Sequence, residues 1–177
     1  MPPGRLRWLL VPLVVVPLSW LLFAGLGRNP TDAPSPLIGK PLPSFADTTL
    51  VGDQFTSADL AGKPAVINFW ASYCIPSCVE EHPFLLGLQA DHGADLTLVG
   101  VLYNDAPNDA LSFLARYGDG GWPNLLDASG RIAVELGVSG PPETFFVDAD
   151  GIVRGRHIGP LDAASLAAGL AAIGVAS

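Results

Sequence analysis

The chain has little sulfur and little positive charge. Only two of its 177 residues are cysteine, Cys74 and Cys78, four positions apart. So few cysteines exclude a disulfide-built scaffold, which uses several bridges at wider spacing, and a structural zinc centre, which needs about four ligands. A pair this close closes too small a loop to restrict the unfolded chain much, so its use is chemical rather than architectural. Basic residues are scarce as well: 9 Lys and Arg stand against 17 Asp and Glu, for a net charge of −8. No basic stripe is available to neutralise phosphates, and nucleic acid is not an expected partner. The acidity reads as solubility. There are no internal repeats.

What the chain does have is one long apolar run. Residues 8–27 (WLLVPLVVVPLSWLLFAGLG) carry no charge and follow Arg5 and Arg7. In a helix rising about 1.5 Å per residue, such a run matches the roughly 30 Å of a hydrocarbon core. The arginines on its N-terminal side place the N-terminus in the cytoplasm and everything after residue 27 outside. Pro12 and Pro17 are tolerable in a membrane helix. A cleaved signal peptide is the competing reading, but the run ends AGLGRN without an A-x-A site. The expected organisation is therefore a membrane anchor over 1–27, a proline-rich linker over 28–36 (RNPTDAPSP), and one domain over 37–177. It would be a single-pass protein of the inner (cytoplasmic) membrane, with its domain on the periplasmic or other extracytoplasmic side.

From residue 37 strands and helices alternate, which predicts an α/β domain. Residues 65–71 (AVINFWA) form a continuous apolar run, bounded by Gly62, Lys63 and Pro64, and read as a strand buried on both faces. A helix is predicted from near Cys74 to about Ala90. A second central strand covers 96–103 and a helix covers 108–117 with Asn108 as its cap. A short helix over 129–136 closes at Gly137. A hairpin joins 144–147 to 152–157 through the turn 148–151. A terminal alanine-rich helix covers 162–173 with Asp162 as its cap.

A cysteine between the end of a buried strand and the start of a helix faces unpaired backbone N–H groups and the positive end of the helix dipole. Both favour thiolate over thiol. Cys74 takes that position, and Cys78, one turn deeper, can resolve a mixed disulfide.

The motifs resemble a family. N-F-W-A-S-Y-C at 68–74 looks like the active-site approach of thioredoxin-like proteins, and C-V-E-E-H at 78–82 resembles the C-x-x-E-H of the CcmG/DsbE (TlpA-like) thioredoxins of cytochrome c biogenesis. G-V-L-Y-N-D at 100–105 resembles that family's central insert, G-V-S-G-P-P-E-T-F at 137–145 its cis-proline segment, and R-G-R-H-I-G at 154–159 its closing hairpin. The resemblance implies a thioredoxin-like fold, a central mixed sheet flanked by helices, and a redox-active Cys74–Cys78 disulfide with no other cofactor and no metal. It implies a reductant of the haem-site cysteines of apocytochrome c, or of another exported thiol protein, supplied with electrons by a membrane thiol–disulfide carrier. Glu81 and Glu143 are the proton-transfer candidates by family match, since Asn68 stands where many thioredoxins carry a buried carboxylate. Tyr73, Pro141 and Pro142 are the expected substrate-binding residues.

The chain also departs from the family. Ile75, Pro76 and Ser77 make C-x-x-x-C where the family has C-x-x-C. Cα atoms at i and i+4 of an ideal helix lie about 6.2 Å apart, still within the reach of a disulfide. Pro76 is acceptable in a first helical turn. Tyr73 replaces the usual tryptophan. Pro141, before the presumed cis-Pro142, has no N–H to offer an extended substrate.

Two functions of different class fit these features. One is the thiol:disulfide oxidoreductase. The other is an exported Sco-like copper chaperone, which also uses C-x-x-x-C, with Cys74, Cys78 and His82 on one helical face. That family resembles C-P-x-x-C-P with a distant histidine ligand late in the chain; against the chaperone, neither proline placement is present here, and the flanks match CcmG instead. A redox-inactive substrate-holding module is a third reading, opposed by the retention of both cysteines. His82 otherwise reads as a helix residue, His92 as a surface loop, His157 as part of the hairpin, and Trp70 as core that could wall the pocket.

Overall fold

The structure is a computed structural model that describes residues 35–175, together with helical positions 13, 15–21 and 23. Most of the expected membrane span, and most of the linker, lies outside the described residues. Among the described residues no helix is long and apolar enough to cross a membrane.

A five-stranded mixed sheet organises residues 35–175. Strand β3 (Ala65–Trp70) lies at its centre, with β4 (Thr97–Leu102) parallel on one side and β6 (Glu143–Val147) antiparallel on the other. The edges are β5 (Asn124–Leu125), parallel to β4, and β7 (Val153–Ile158), antiparallel to β6. All six residues of β3 are buried, as its unbroken apolar, β-branched and aromatic composition requires of a central strand.

Successive side chains of a strand point to opposite faces, and the core divides accordingly. On one face Ile67, Phe69, Val101, Phe145 and Val147 pack with Leu60, Ile132 and Leu136. On the other, Val66, Leu98 and Phe146 meet Leu85 and Leu88 of helix α1 (Ser77–His92) and Leu170 of the C-terminal helix. Beyond them, at the C-terminal end of β3, Trp70 and Leu102 pack with Cys78 and with Ala110, Phe113 and Leu114 of helix α2 (Pro107–Tyr117). Burying a residue such as Phe69 or Ile67 contributes about 1.5–3 kcal/mol. These layers fix the strand end on which the cysteines sit.

The element boundaries show where local hydrogen bonding overrides periodicity. Helix α1 begins at Ser77, not near Cys74 as predicted, with Pro76 as its N-cap residue and the Ile75–Pro76 bond cis. The extra residue between the cysteines is thus taken up in a turn ahead of the helix. Pro83 lies inside α1, where it cannot donate to the Val79 carbonyl one turn back. Helix α2 starts at Pro107, with Ala106 at its N-cap, so Asn108, the predicted cap, lies in the first turn. Proline suits the first helical position because its missing N–H would be unpaired there, and the N–H of Ala106 donates to Asp105.

Helix α3 (Arg131–Leu136) starts two residues later than predicted, because the buried Asp127 carboxylate accepts the N–H groups of Ile132 and Ala133. The hairpin is β6–β7. Helix α4 (Ala163–Ala172) is capped by Asp162, which accepts from the Ser165 N–H. Strands β1 (Ala46–Thr48) and β2 (Gln54–Thr56) form a separate antiparallel pair. At three residues each they are too short to show a period in the sequence.

Candidate active site

Cys74 and Cys78 form a disulfide, with their Cα atoms 5.3 Å apart. That is closer than the ideal helical i, i+4 distance, because Cys74 belongs to the turn and only Cys78 to the helix. The N–H of Cys78 donates to the Cys74 carbonyl at 2.8 Å, so the turn runs directly into the first helical turn. The two sulfurs are unequal in access. Cys74 is half-buried, whereas Cys78 is 2% exposed and packed against Trp70 and α2. An incoming thiol or disulfide meets Cys74 first.

Below Cys78, a cavity of about 10 Å³ is lined by Asn68, Trp70, Cys78, Glu81, His82 and Phe113, among others. It has the room of about one water molecule. Glu81 is 1% exposed. One carboxylate oxygen accepts from Asn68 Nδ2 at 3.0 Å, and the other from the Leu161 N–H at 3.1 Å. Asn68 Nδ2 also donates to Thr144 Oγ1 at 3.0 Å, its register partner on β6. Burial pushes the Glu81 carboxyl up to about 7, and the bonds from Asn68 and Leu161 only partly offset it. Glu81 is therefore a buried group that titrates near neutral pH beside the inner cysteine.

Glu143 is equally buried, at 0% exposure, but it lies on the opposite face of the sheet. Its register partner is Phe69, and it alternates with Thr144. Arg156 Nε donates to its Oε1 at 2.5 Å, while the Ser139 N–H and hydroxyl donate to its Oε2 at 3.1 and 3.2 Å. Arg156 also donates to the Gly137 carbonyl and lies over the Phe145 ring. Glu143 thereby ties the loop carrying Pro141 and Pro142 to β7. The Pro141–Pro142 bond is cis; Pro141 is half-buried and Pro142 buried.

Tyr73 is 55% exposed, and its hydroxyl donates to the Tyr103 carbonyl at 2.9 Å. Its phenol is pushed up, first by burial and then by the Asp105 and Tyr103 charges. Trp70 lines the cavity, as its position after Asn68 on the same face requires, and its Nε1 donates to Asn124 Oδ1 at 2.9 Å. Gly100 makes room for this bond: a Cβ there would run into the Asn124 side chain and stand 2.8 Å from Trp70 Nε1.

His82 is buried between Phe113 and Trp122, and its Nε2–H donates to the Gly118 carbonyl at 2.7 Å. Burial lowers its basicity. That nitrogen is committed, which weakens the copper reading. Among the described residues no three His, Cys, Asp or Glu side chains cluster so as to hold a metal ion.

Asp105, Ser139 and Arg156 are site residues that the sequence reading did not single out. Asp105 and Arg156 lay inside the quoted motifs G-V-L-Y-N-D and R-G-R-H-I-G, but their partners, Ser72 and Glu143, are 33 and 13 residues away. No local pattern announces such pairs.

An accessible cysteine bonded to a buried one, at the end of the central strand of a mixed sheet and above a carboxyl near neutrality, defines a thiol:disulfide oxidoreductase of thioredoxin-like fold. The comparisons agree. A family described as Redoxin matches residues 37–170. The thiol:disulfide interchange protein DsbE of Pseudomonas fluorescens biotype C is 43% identical over 159 residues, which cover 88% of this chain and 87% of that one. The structure of a secreted Mycobacterium tuberculosis disulfide oxidoreductase homologous to E. coli DsbE aligns with a TM-score of 0.65 at 33% identity, covering 72% of this chain and 95% of that one. A thiol:disulfide interchange protein of the thioredoxin family from Chlorobium tepidum TLS aligns with a TM-score of 0.68 at 26% identity, covering 80% and 99%. The chain belongs to the DsbE family of thiol:disulfide interchange proteins.

Proposed function

We propose that this protein works in the reducing direction, delivering two electrons to the oxidised haem-site cysteines of apocytochrome c or another exported thiol protein. It would be held at the inner membrane by its N-terminal segment with the domain on the extracytoplasmic side, and recharged by a membrane thiol–disulfide carrier. The observation that carries this reading is the unequal access of the two sulfurs above Glu81, in a chain of the DsbE family.

In the reduced protein the Cys74 thiolate attacks one sulfur of the client disulfide. A Cys74–client bond forms, the client S–S bond breaks, and the second client sulfur leaves as a thiolate that takes up a proton. The Cys78 thiol then loses its proton, with Glu81 as the acceptor, directly or through a water in the small cavity. Its thiolate attacks Cys74 Sγ, forming the Cys74–Cys78 disulfide and releasing the first client sulfur as a thiolate, which is protonated in turn. A carboxyl near 7 suits this task, because a proton acceptor works best when its pKa lies close to the working pH. By the family resemblance, Tyr73, Pro141 and Pro142 serve as the client-docking residues. Glu143 acts there by holding the cis-proline loop in place.

The test uses the reduced full-length chain in detergent and an oxidised peptide carrying a C-x-x-C-H haem site. Stoichiometric peptide reduction is expected, lost in Cys74→Ser and stalled as a trapped mixed disulfide in Cys78→Ser. Failure to reduce the peptide under conditions where small disulfides are reduced would remove the cytochrome task but leave the exchange chemistry. Tight Cu(I) binding that is lost in His82→Ala would favour the chaperone instead.

A further inference from the structure

The turn that carries Cys74 has little packing of its own. Ile75 is 63% exposed, Tyr73 is 55% exposed and Pro76 is exposed; Cys74 is half-buried against the cluster of Trp70, Cys78 and Leu102, so apolar burial gives the rest of the turn little hold. On its helical side the turn is held by the backbone bond from Cys78 to the Cys74 carbonyl. On its strand side the Cys74 N–H donates to the Ala71 carbonyl at 3.2 Å, and the largest set of side-chain bonds is made by Asp105. Asp105 Oδ2 accepts the backbone N–H of Ser72 at 2.5 Å, and Oδ1 accepts the Ser72 hydroxyl at 3.0 Å and the Ala106 N–H at 2.8 Å. Two further bonds run between the same segments, from Tyr103 N–H to the Trp70 carbonyl and from the Tyr73 hydroxyl to the Tyr103 carbonyl, each 2.9 Å. The residues just before Cys74 are thereby stitched to the loop between β4 and α2. The bonds to the Asp105 carboxylate are the strong ones, because hydrogen bonds to a charged acceptor are roughly twice as strong as neutral ones.

We infer that Asp105 is a positioning residue for the exchange reaction: it pins Ser72, and through Ser72 the Cys74 turn, so that the two thiols of the reduced protein stay in attacking range when no S–S bond joins them. The inference rests on the thiol–disulfide activity of the family, and not on the identity of the client. Its consequence follows from effective concentration. The second step is an intramolecular attack of Cys78 on Cys74 Sγ, and its equilibrium and rate both scale with how often the two sulfurs are in range. Loosening the Cys74 turn lowers that frequency, so the disulfide forms less readily and the dithiol becomes a weaker reductant.

The experiment equilibrates the full-length chain in detergent with glutathione over a range of thiol-to-disulfide ratios, comparing the parent with Asp105→Asn, Ser72→Ala and Ser72→Thr. Asn keeps one acceptor oxygen but puts an NH₂ group opposite one of the two Ser72 donors, which bond different oxygens of Asp105. It is expected to lower the equilibrium constant for Cys74–Cys78 formation about tenfold, which corresponds to about 30 mV toward a less reducing potential. The Cys74–glutathione mixed disulfide should accumulate, because it is resolved slowly. Ser72→Ala, which leaves the carboxylate in place and removes only the hydroxyl bond, should shift the constant a few-fold in the same direction, and Ser72→Thr should restore it. If Asp105→Asn fails to fold, the Ser72 pair decides alone. An unchanged constant in a variant of lower thermal stability would reduce Asp105 to a structural residue and overturn the inference. A shift to a more reducing potential, or one that follows the pH dependence of Cys74 alkylation, would overturn it too, since the charge rather than the clamp would then be acting.

Discussion

Glu81 and Glu143 are the same residue type, buried to the same degree, on opposite faces of one sheet. Their surroundings differ in one respect. Glu143 has a guanidinium on one oxygen and both donors of Ser139 on the other. Among the described residues Glu81 has two neutral donors, Asn68 Nδ2 and the Leu161 N–H, and no ion-pair partner. Desolvation therefore wins at Glu81 and brings its carboxyl to about 7, whereas the charge of Glu143 is matched by Arg156 and its oxygens are used in holding a loop. Burial alone does not make a proton carrier. A buried carboxylate becomes one when its hydrogen bonds are satisfied and its charge is not.

The contrast can be broken most severely at Arg156. Replacing it with Met strands the Glu143 charge in the core, and losing one partner of a buried pair costs about 3–5 kcal/mol. Urea unfolding should show that loss, and the double variant Arg156→Met with Glu143→Leu should recover most of it. A single variant as stable as the parent would mean that Glu143 does not depend on the ion pair.

At Glu81 the expected effect is a pH dependence. Its folded value of about 7 lies above the ordinary 4.5, so between these values the folded state binds the proton more tightly than the unfolded chain. Stability then falls as pH rises from about 4.5 to 7 and levels off above, by about 3 kcal/mol in total for a rise of this size. Glu81→Gln removes the titration. Relative to the parent, the variant should gain about 3 kcal/mol of stability between pH 4 and pH 8, measured by urea unfolding at both. A gap that does not change with pH would show that Glu81 is not elevated.

Asn68→Ala sharpens the comparison by deleting a donor that holds the Glu81 carboxyl down. The Glu81 value should climb further, by about one unit for a hydrogen bond to a charged group. The inflection in the rate of mixed-disulfide resolution should move to more alkaline pH. An unmoved inflection would separate that rate from Glu81. The smallest effect is expected at Ser139→Ala, where Glu143 keeps Arg156 and the Ser139 N–H. A loss of about 1.5 kcal/mol in urea unfolding is anticipated, the low end for a bond to a charged group, with no change in the pH profile.

Much of the fold was legible because its signals are local. The apolar run of β3, the Asp162 cap and the Gly137 stop each depend on residues close together in the chain. Strands β1, β2 and β5 were not legible, being two or three residues long. The true start of α1 was not either, because whether Cys74 joins the helix depends on the path of the Cys74–Pro76 turn. In the site, the cysteine pair stood out by its spacing after a buried strand. Glu81 and Glu143 entered together by resemblance, and nothing in the sequence distinguishes them. The hold of Asp105 on Ser72 joins residues that only the packing of β3 beside β4 brings together.

The sequence alone determined that two cysteines follow a strand buried on both faces, in a chain too poor in sulfur and basic charge for a disulfide scaffold or a phosphate surface. Composition and order suffice for that, because hydrophobic burial and strand periodicity act over a few residues at a time. Only the tertiary structure decided which sulfur is accessible, which carboxylate lacks a counter-charge and which side chain pins the reactive turn. Those properties depend on distance and desolvation between residues far apart in the chain, and they arise only when the sheet faces close.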